Sequence, residues 1–182
     1  MERDRITAEA SVYFVTYSIV DWLPVLISAA ACSIITHSLN YCIDHKGLRV
    51  NAYVIMPTHI HAIVFDNEYD FKRLEKSLTD FRKFTGRSLS DYCPAHMPKC
   101  FTETFRAAAA GDRERRFWQS SRHPEAVETE PFWKQKLDYL HENPCRKGLV
   151  MRADHWRFSS AAYYLSDGRS HVDVEISQID WS

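Results

Sequence analysis

Residues 48–65 read LRVNAYVIMPTHIHAIVF. Leu48 to Met56 alternates loosely between apolar and polar side chains, and His59 to Phe65 resumes in β-branched and apolar residues after Pro57-Thr58. Proline lacks an amide donor and fixes its own φ, so it belongs in a turn rather than inside a paired strand. The stretch therefore predicts two strands joined by a tight turn. A strand shows its side chains alternately to its two faces, so His59 and His61 fall on one face with imidazoles close enough to share one ion.

Upstream, residues 12–17 (VYFVTY) have the β-branched and aromatic composition of a buried strand. After Pro24, the stretch Val25 to Cys42 spaces Leu26, Ile27, Ala30, Ala31, Ile34, Ile35 and Leu39 at three and four, which is an amphipathic helix, and Gly47 punctuates its exit. Downstream, Phe71 to Leu89 sets Phe71, Leu74, Leu78, Phe81, Thr85 and Leu89 along one side of a second helix. Lys72, Arg73, Lys76, Arg82 and Lys83 give that helix a basic flank and are candidate phosphate contacts, although a solvated helix face carries the same residues. The order β-α-β-β-α supplies the first five elements of the ferredoxin-like split β-α-β motif, an α+β fold whose antiparallel sheet carries both helices on one face. The closing strand is expected near Arg116-Phe117-Trp118-Gln119, after an irregular excursion over 90–116 that contains two prolines and Gly111.

A third helix opens at Thr129-Glu130-Pro131, which offers a cap, an acid and a first-turn proline. It is expected to run to about Glu142, with Asn143-Pro144 closing it, because a residue before proline is pushed out of helical geometry. Tyr139 and Asn143 are four apart, so a phenol and an amide lie one turn above the other on a single face, while His141 points elsewhere. Lys136 lies one turn earlier, a candidate contact to the same phosphate. The domain organisation expected is a flexible start (1–10), one domain (11–165) and a tail (166–182).

The charge distribution is uneven. From Lys72 to Arg157 there are 18 Lys and Arg against 12 Asp and Glu, while the remainder carries 5 against 12, so positive charge gathers in the middle of a chain whose net charge is -1. Such a segment suits a phosphate-facing surface or a mixed-charge solvated face. No apolar run approaches the roughly 20 residues of a membrane helix, so no membrane partner is expected. The charged start Met1 to Arg5 does not read as a signal peptide, and five irregularly spaced cysteines suit reduced thiols, so the expected address is cytoplasmic.

A His-x-His pair alone is more often two hydrogen-bonded histidines than a ligand pair, and Tyr139 and Asn143 alone read as a core edge and a helix stop. Together they make a longer pattern. MPTHIHAIV from Met56 resembles the metal-binding "M-P-N-H-V-H" motif of the HUH single-tyrosine transposases. The run from Lys136 to Val150 (KLDYLHENPCRKGLV) resembles the "Y-I-H-x-N-P-V-R-x-G-L-V" signature of their REP-associated branch. Trp118-Gln119 and the stretch from Trp156 to Ala161 (WRFSSA) fall where that branch has a Trp-Gln pair and an aromatic-Ser-Ser-Ala tail. Departures are Thr58 for Asn, Cys145 for Val and the 90–116 segment. The resemblance implies that His59, His61 and Asn143 bind Mg²⁺ or Mn²⁺, that Tyr139 is the nucleophile, and that the protein nicks and rejoins DNA through a 5′-phosphotyrosine. It further implies single-stranded or hairpin DNA as partner and a prokaryotic, nucleoid-associated setting. A homodimer is one assembly it allows, with Tyr139 serving its own metal site or the partner's. Two other readings stay open: a noncatalytic single-stranded nucleic-acid-binding module, and a His-ligated metal hydrolase using Asp66 or Glu142 to activate water.

Overall fold

The structure is a computed structural model describing residues 6–111, 114–120 and 124–181. Its centre is a four-stranded antiparallel sheet in the order β2-β3-β1-β4, with β1 Val12–Ser18, β2 Leu48–Met56, β3 His59–Asp66 and β4 Glu125–Ala126. Helices α1 (Ala29–Lys46) and α2 (Phe71–His96) cover one face. This is the ferredoxin-like arrangement, with β3 lying between the two parallel members of the split β1-α1-β2 unit.

Strand alternation divides the core in two. Tyr13, Val15, Tyr17, Ile60, Ala62 and Val64 face α1 and α2, where they meet Ile35, Leu39, Leu74, Leu78 and Phe81. Val12, Phe14, Val54, Met56, Ile63 and Phe65 face the other way, onto Leu137 and Leu140 of α4 (Glu130–Arg146). Helix α4 thus packs on the sheet face that α1 and α2 leave open, beside the short helix α5 (Ala161–Leu165). The last residues fold back: Asn51 Nδ2 donates to the Ser177 carbonyl, Ser177 N donates to the Val50 carbonyl, and Val174 is buried. At the other end, Thr7 N donates to the Tyr13 hydroxyl, and residues 1–5 of the expected flexible start lie outside the described residues.

Several boundaries differ from the sequence expectation. Helix α1 starts at Ala29, not Val25, because Ser28 caps it by accepting from Ala31 N, whereas Val25 and Leu26 are buried ahead of it, Leu26 in a turn with its N donating to the Pro57 carbonyl. It runs on to Lys46, where Gly47 ends it at φ 71, a left-handed conformation glycine adopts without steric cost. Helix α2 continues through Pro94 to His96. The missing proline amide frees the Ser90 carbonyl, and Arg115 Nη1 donates to it at 3.4 Å.

The 90–116 segment is correspondingly less irregular than its prolines suggest: α3 (Lys99–Ala107) forms, with Phe105 buried against Phe117. Residues 116–119 make only a single bridge, Ile19 to Trp118, and the closing strand is the later Glu125–Ala126. Trp118 is instead drawn onto α2, where its Nε1 donates to Thr85 Oγ1 and its Cδ1 would lie 3.2 Å from a Cβ at Gly86. Helix α4 also passes its expected stop, keeping Asn143 and Pro144 inside its last turns and ending after Arg146. Among the described residues no helix is long and apolar enough to cross a membrane.

Candidate active site

The site is built on the face of the sheet that α4 covers. In the antiparallel pairing of β1 with β3, Thr16 lies opposite His61 and Ser18 opposite His59, so facing residues share a side. Thr16 Oγ1 lies 2.7 Å from His61 Nδ1, and Thr58 Oγ1 lies 2.9 Å from His59 Nδ1. A hydroxyl on each Nδ1 orients the ring and leaves Nε2 as the remaining ligating nitrogen. The two ring centroids are 4.7 Å apart, and both side chains are buried.

Burial lowers the pKa of both imidazoles. His59 falls to about 4, through burial and then the positive charge of Lys147, and His61 falls to about 3, through burial, His59 and Lys136. At neutral pH both rings are therefore neutral, the form in which histidine ligates a metal.

Helix α4 brings the second half of the site. The Tyr139 ring lies 5.5 Å from that of His61 and 6.1 Å from that of Phe14, and the side chain is 39% exposed. Lys136 stands 4.8 Å over the Phe14 ring and pairs with Glu125 at 2.7 Å. One turn beyond Tyr139, Asn143 is buried, and its Oδ1 has no hydrogen-bond partner among the described residues. Arg146 stands 5.5 Å over the Tyr139 ring. His141, on the opposite side of α4, donates to or accepts from Ser160 Oγ at 2.8 Å and is a structural residue whose pKa burial lowers to about 4.

These residues form a neutral imidazole pair, an amide oxygen and an accessible phenol, ringed by Lys136, Arg146 and Lys147. Among the described residues no third His, Cys, Asp or Glu joins the two histidines. The donor that fits is Asn143. A buried carbonyl oxygen without a partner costs about 1–3 kcal/mol, and it lies on the helix between Tyr139, which reaches His61, and Lys147, whose charge reaches His59. Two imidazole nitrogens and an amide oxygen suit a divalent cation and leave coordination positions free.

The structure draws Lys136 to this constellation but not the five basic residues of α2, which pack on the opposite face of the sheet. Arg73 is committed to buried Asp66 through Nε at 2.7 Å and Nη2 at 2.8 Å, and it also pairs with Glu68 and Asn67. Lys76 pairs with Asp80, and Arg82 donates to the Gln119 carbonyl and lies over the Tyr17 ring. Lys83 lines an open groove between α1 and α2, and Lys72 lies near the Phe71 ring. Asp66, at the far end of β3 from His59, has its carboxylate taken by Arg73 and the amides of Glu68 and Asp70, so it is not a water-activating acid for this site.

Four participants were missed in the sequence. Thr16 depends on strand register, which the sequence does not print, and Trp22, whose indole lies 5.9 Å from the His59 ring, depends on an unusual turn. Arg146 and Lys147 had a signal: they follow Asn143 by three and four residues, on the same helical face.

No protein-family profile and no curated protein matches the sequence. Among solved structures, a REP-associated tyrosine transposase bound to a REP hairpin superposes with a TM-score of 0.61 at 18% identity, covering 95% of this chain and 90% of that chain. The fold is that of a tyrosine transposase. A candidate transposase from Deinococcus radiodurans R1 also matches, at 17% identity over 79% of this chain and 97% of that chain, but its TM-score of 0.47 is too low to add to the argument. The superposition takes in nearly the whole of both chains. At 18% identity it bears on architecture, so the chemistry rests on the residues present here.

Proposed function

We propose that this protein is a metal-dependent transposase-type enzyme that nicks and rejoins single-stranded or hairpin DNA through a tyrosine-linked intermediate. The observation that carries this reading is the approach of Tyr139 to His61, with the unsatisfied oxygen of Asn143 one turn further along α4.

In this reading His59, His61 and Asn143 would hold Mg²⁺ or Mn²⁺, which would supply charge neutralisation and orientation to the phosphate. Tyr139 Oη attacks phosphorus. A bond forms between the phenol oxygen and phosphorus, the bond from phosphorus to O3′ breaks, and the phenol proton is balanced by the proton the departing 3′ oxygen gains. The products are a 5′-phosphotyrosine and a free 3′-OH. The link conserves the phosphodiester, so the 3′-OH of a second strand can attack it and restore Tyr139 without nucleotide hydrolysis.

The chain's own groups divide the remaining work. Lys136, Arg146 and Lys147 place positive charge around the phosphate. Phe14 and His61 fix one edge of the Tyr139 ring while its exposed side stays open to substrate. The approach of the Tyr139 ring to His61 within one chain supports attack in cis. An exposed, unpaired backbone suits the site because Tyr139 must reach a phosphate lying against β3.

The test is incubation with an end-labelled hairpin oligonucleotide and Mn²⁺, followed by denaturing electrophoresis. A protein-DNA adduct that disappears with chelator supports the reading. Cleavage without any adduct indicates a hydrolase, and binding that is indifferent to chelator, with no cleavage, indicates a noncatalytic module.

A further inference from the structure

The segment between β1 and α1 carries a feature that packing does not explain. Asp21 and Trp22 adopt φ of 51 and 54, the left-handed region that side chains other than glycine's rarely enter. Their turn is held from outside: Ile19 N donates to the Thr58 carbonyl, Val20 N to the Phe117 carbonyl, and Leu26 N to the Pro57 carbonyl. Both ends of the turn are thus tied to Pro57-Thr58, the turn that leads into His59.

The strained backbone presents Trp22 to solvent at 55% exposure, with its indole 5.9 Å from the His59 ring and nearly perpendicular to it. The other tryptophans are at least partly buried, and the indole N–H groups of Trp118, Trp133 and Trp156 are hydrogen-bonded. A large apolar ring held in water on a strained, pinned turn gains nothing from the core. Its neighbour Asp21 is exposed and carries the wrong charge for a phosphate, so the turn suits a base rather than the backbone.

We propose that Trp22 is a stacking platform for an unpaired nucleobase adjacent to the phosphate held at His59 and His61. The proposal rests on the DNA-nicking reading for what occupies the site, and it adds the group that seats the neighbouring nucleotide. Indole presents a wide π face and every base has one, so the platform tolerates sequence while requiring that the base be unstacked from its neighbours. It would thereby select single-stranded or splayed DNA before any bond is broken.

The experiment is fluorescence anisotropy with a labelled unstructured oligonucleotide in chelator, so that binding is read apart from chemistry. Trp22→Ala is expected to weaken binding about tenfold to a hundredfold, and Trp22→Phe to retain most of it. An abasic site scanned through the oligonucleotide should cost the native protein a similar factor at one position and cost Trp22→Ala nothing further there. Trp22→Gly separates this from a folding role: glycine accepts the positive φ, so thermal stability holds or rises while affinity falls. Unchanged affinity in Trp22→Ala, or abasic and alanine losses that multiply, would overturn the platform. Trp22-dependent binding without any covalent adduct keeps the platform and removes the nicking reading. Wild-type affinity and adduct formation in Trp22→Ala do the reverse, and no binding by the native protein overturns both.

Discussion

The rings of Tyr139 and His61 meet at 5.5 Å and an angle of 64°, one carried by α4 and the other by the central strand β3. A buried, neutral imidazole beside a phenol that keeps more than a third of its surface in water is an unusual pairing for a core. Apolar packing would have covered the phenol, and a surface pair would have left the histidine wet. The contact joins a fixed ligand to a reachable nucleophile, and the groups behind each partner can be tested separately.

Asn143 is the first. Its buried Oδ1 has no partner among the described residues, so Asn143→Leu should raise the melting temperature of the metal-free protein by about 2–12 °C, from about 1–3 kcal/mol of recovered desolvation. The same substitution should abolish the further rise produced by Mn²⁺, whereas Asn143→Asp should keep it, because it retains an oxygen donor. Differential scanning calorimetry with and without metal reads both effects. A metal-induced rise that survives Asn143→Leu removes this residue from the ligand set.

Thr16 acts through His61. Thr16→Val keeps a β-branched residue in β1 but removes the hydroxyl 2.7 Å from Nδ1. Loss of such a supporting partner typically lowers metal affinity about 10- to 100-fold. Titration calorimetry with Mn²⁺ should show that drop with the far-ultraviolet circular dichroism unchanged. Equal affinity would mean that the hydroxyl does not set the ring.

Asp66 and Arg73 concern stability rather than chemistry. Burial alone would raise the Asp66 pKa, but the hydrogen bonds from Arg73 and from the amides of Glu68 and Asp70 outweigh it and hold the carboxyl below its usual value. A depressed folded pKa contributes stability that is present above the unfolded value near 4 and is lost as pH falls through the folded one. Asp66→Asn should therefore cost about 2 kcal/mol at pH 7, a figure kept modest because Arg73 is partly exposed. Urea denaturation should show the gap from the native protein narrowing as pH falls below the unfolded value near 4. A gap that stays constant down to pH 2.5 would contradict this assignment.

The parts of the site legible in the sequence were those set by short spacing. The period of two put His59 and His61 on one face, and the spacing of four put Tyr139 above Asn143, because neither depends on what lies across the sheet. The illegible parts depend on contacts far away in the chain. Thr16 meets His61 only through the register of β1 on β3. Trp22 reaches His59 only because Pro57, Thr58 and Phe117 hold its turn in a conformation its own residues disfavour. The prolines misled in the same way: Pro94 reads as a break until Arg115 takes the carbonyl it frees, and Pro144 falls late enough in α4 to end nothing. Charge alone also does not show which basic residues of α2 are engaged inside the fold, as Arg73 is with Asp66 and Arg82 with the Gln119 carbonyl.

The central claim is that Tyr139 becomes bonded to DNA. Digesting the Mn²⁺-dependent adduct with trypsin and nuclease and sequencing the modified peptide by mass spectrometry tests it most directly. The expected product is the peptide from Leu137 to Arg146 carrying a nucleotide phosphate on Tyr139, absent in Tyr139→Phe and in the presence of chelator. A nucleotide found on another tyrosine, or an adduct that persists in Tyr139→Phe, would contradict it.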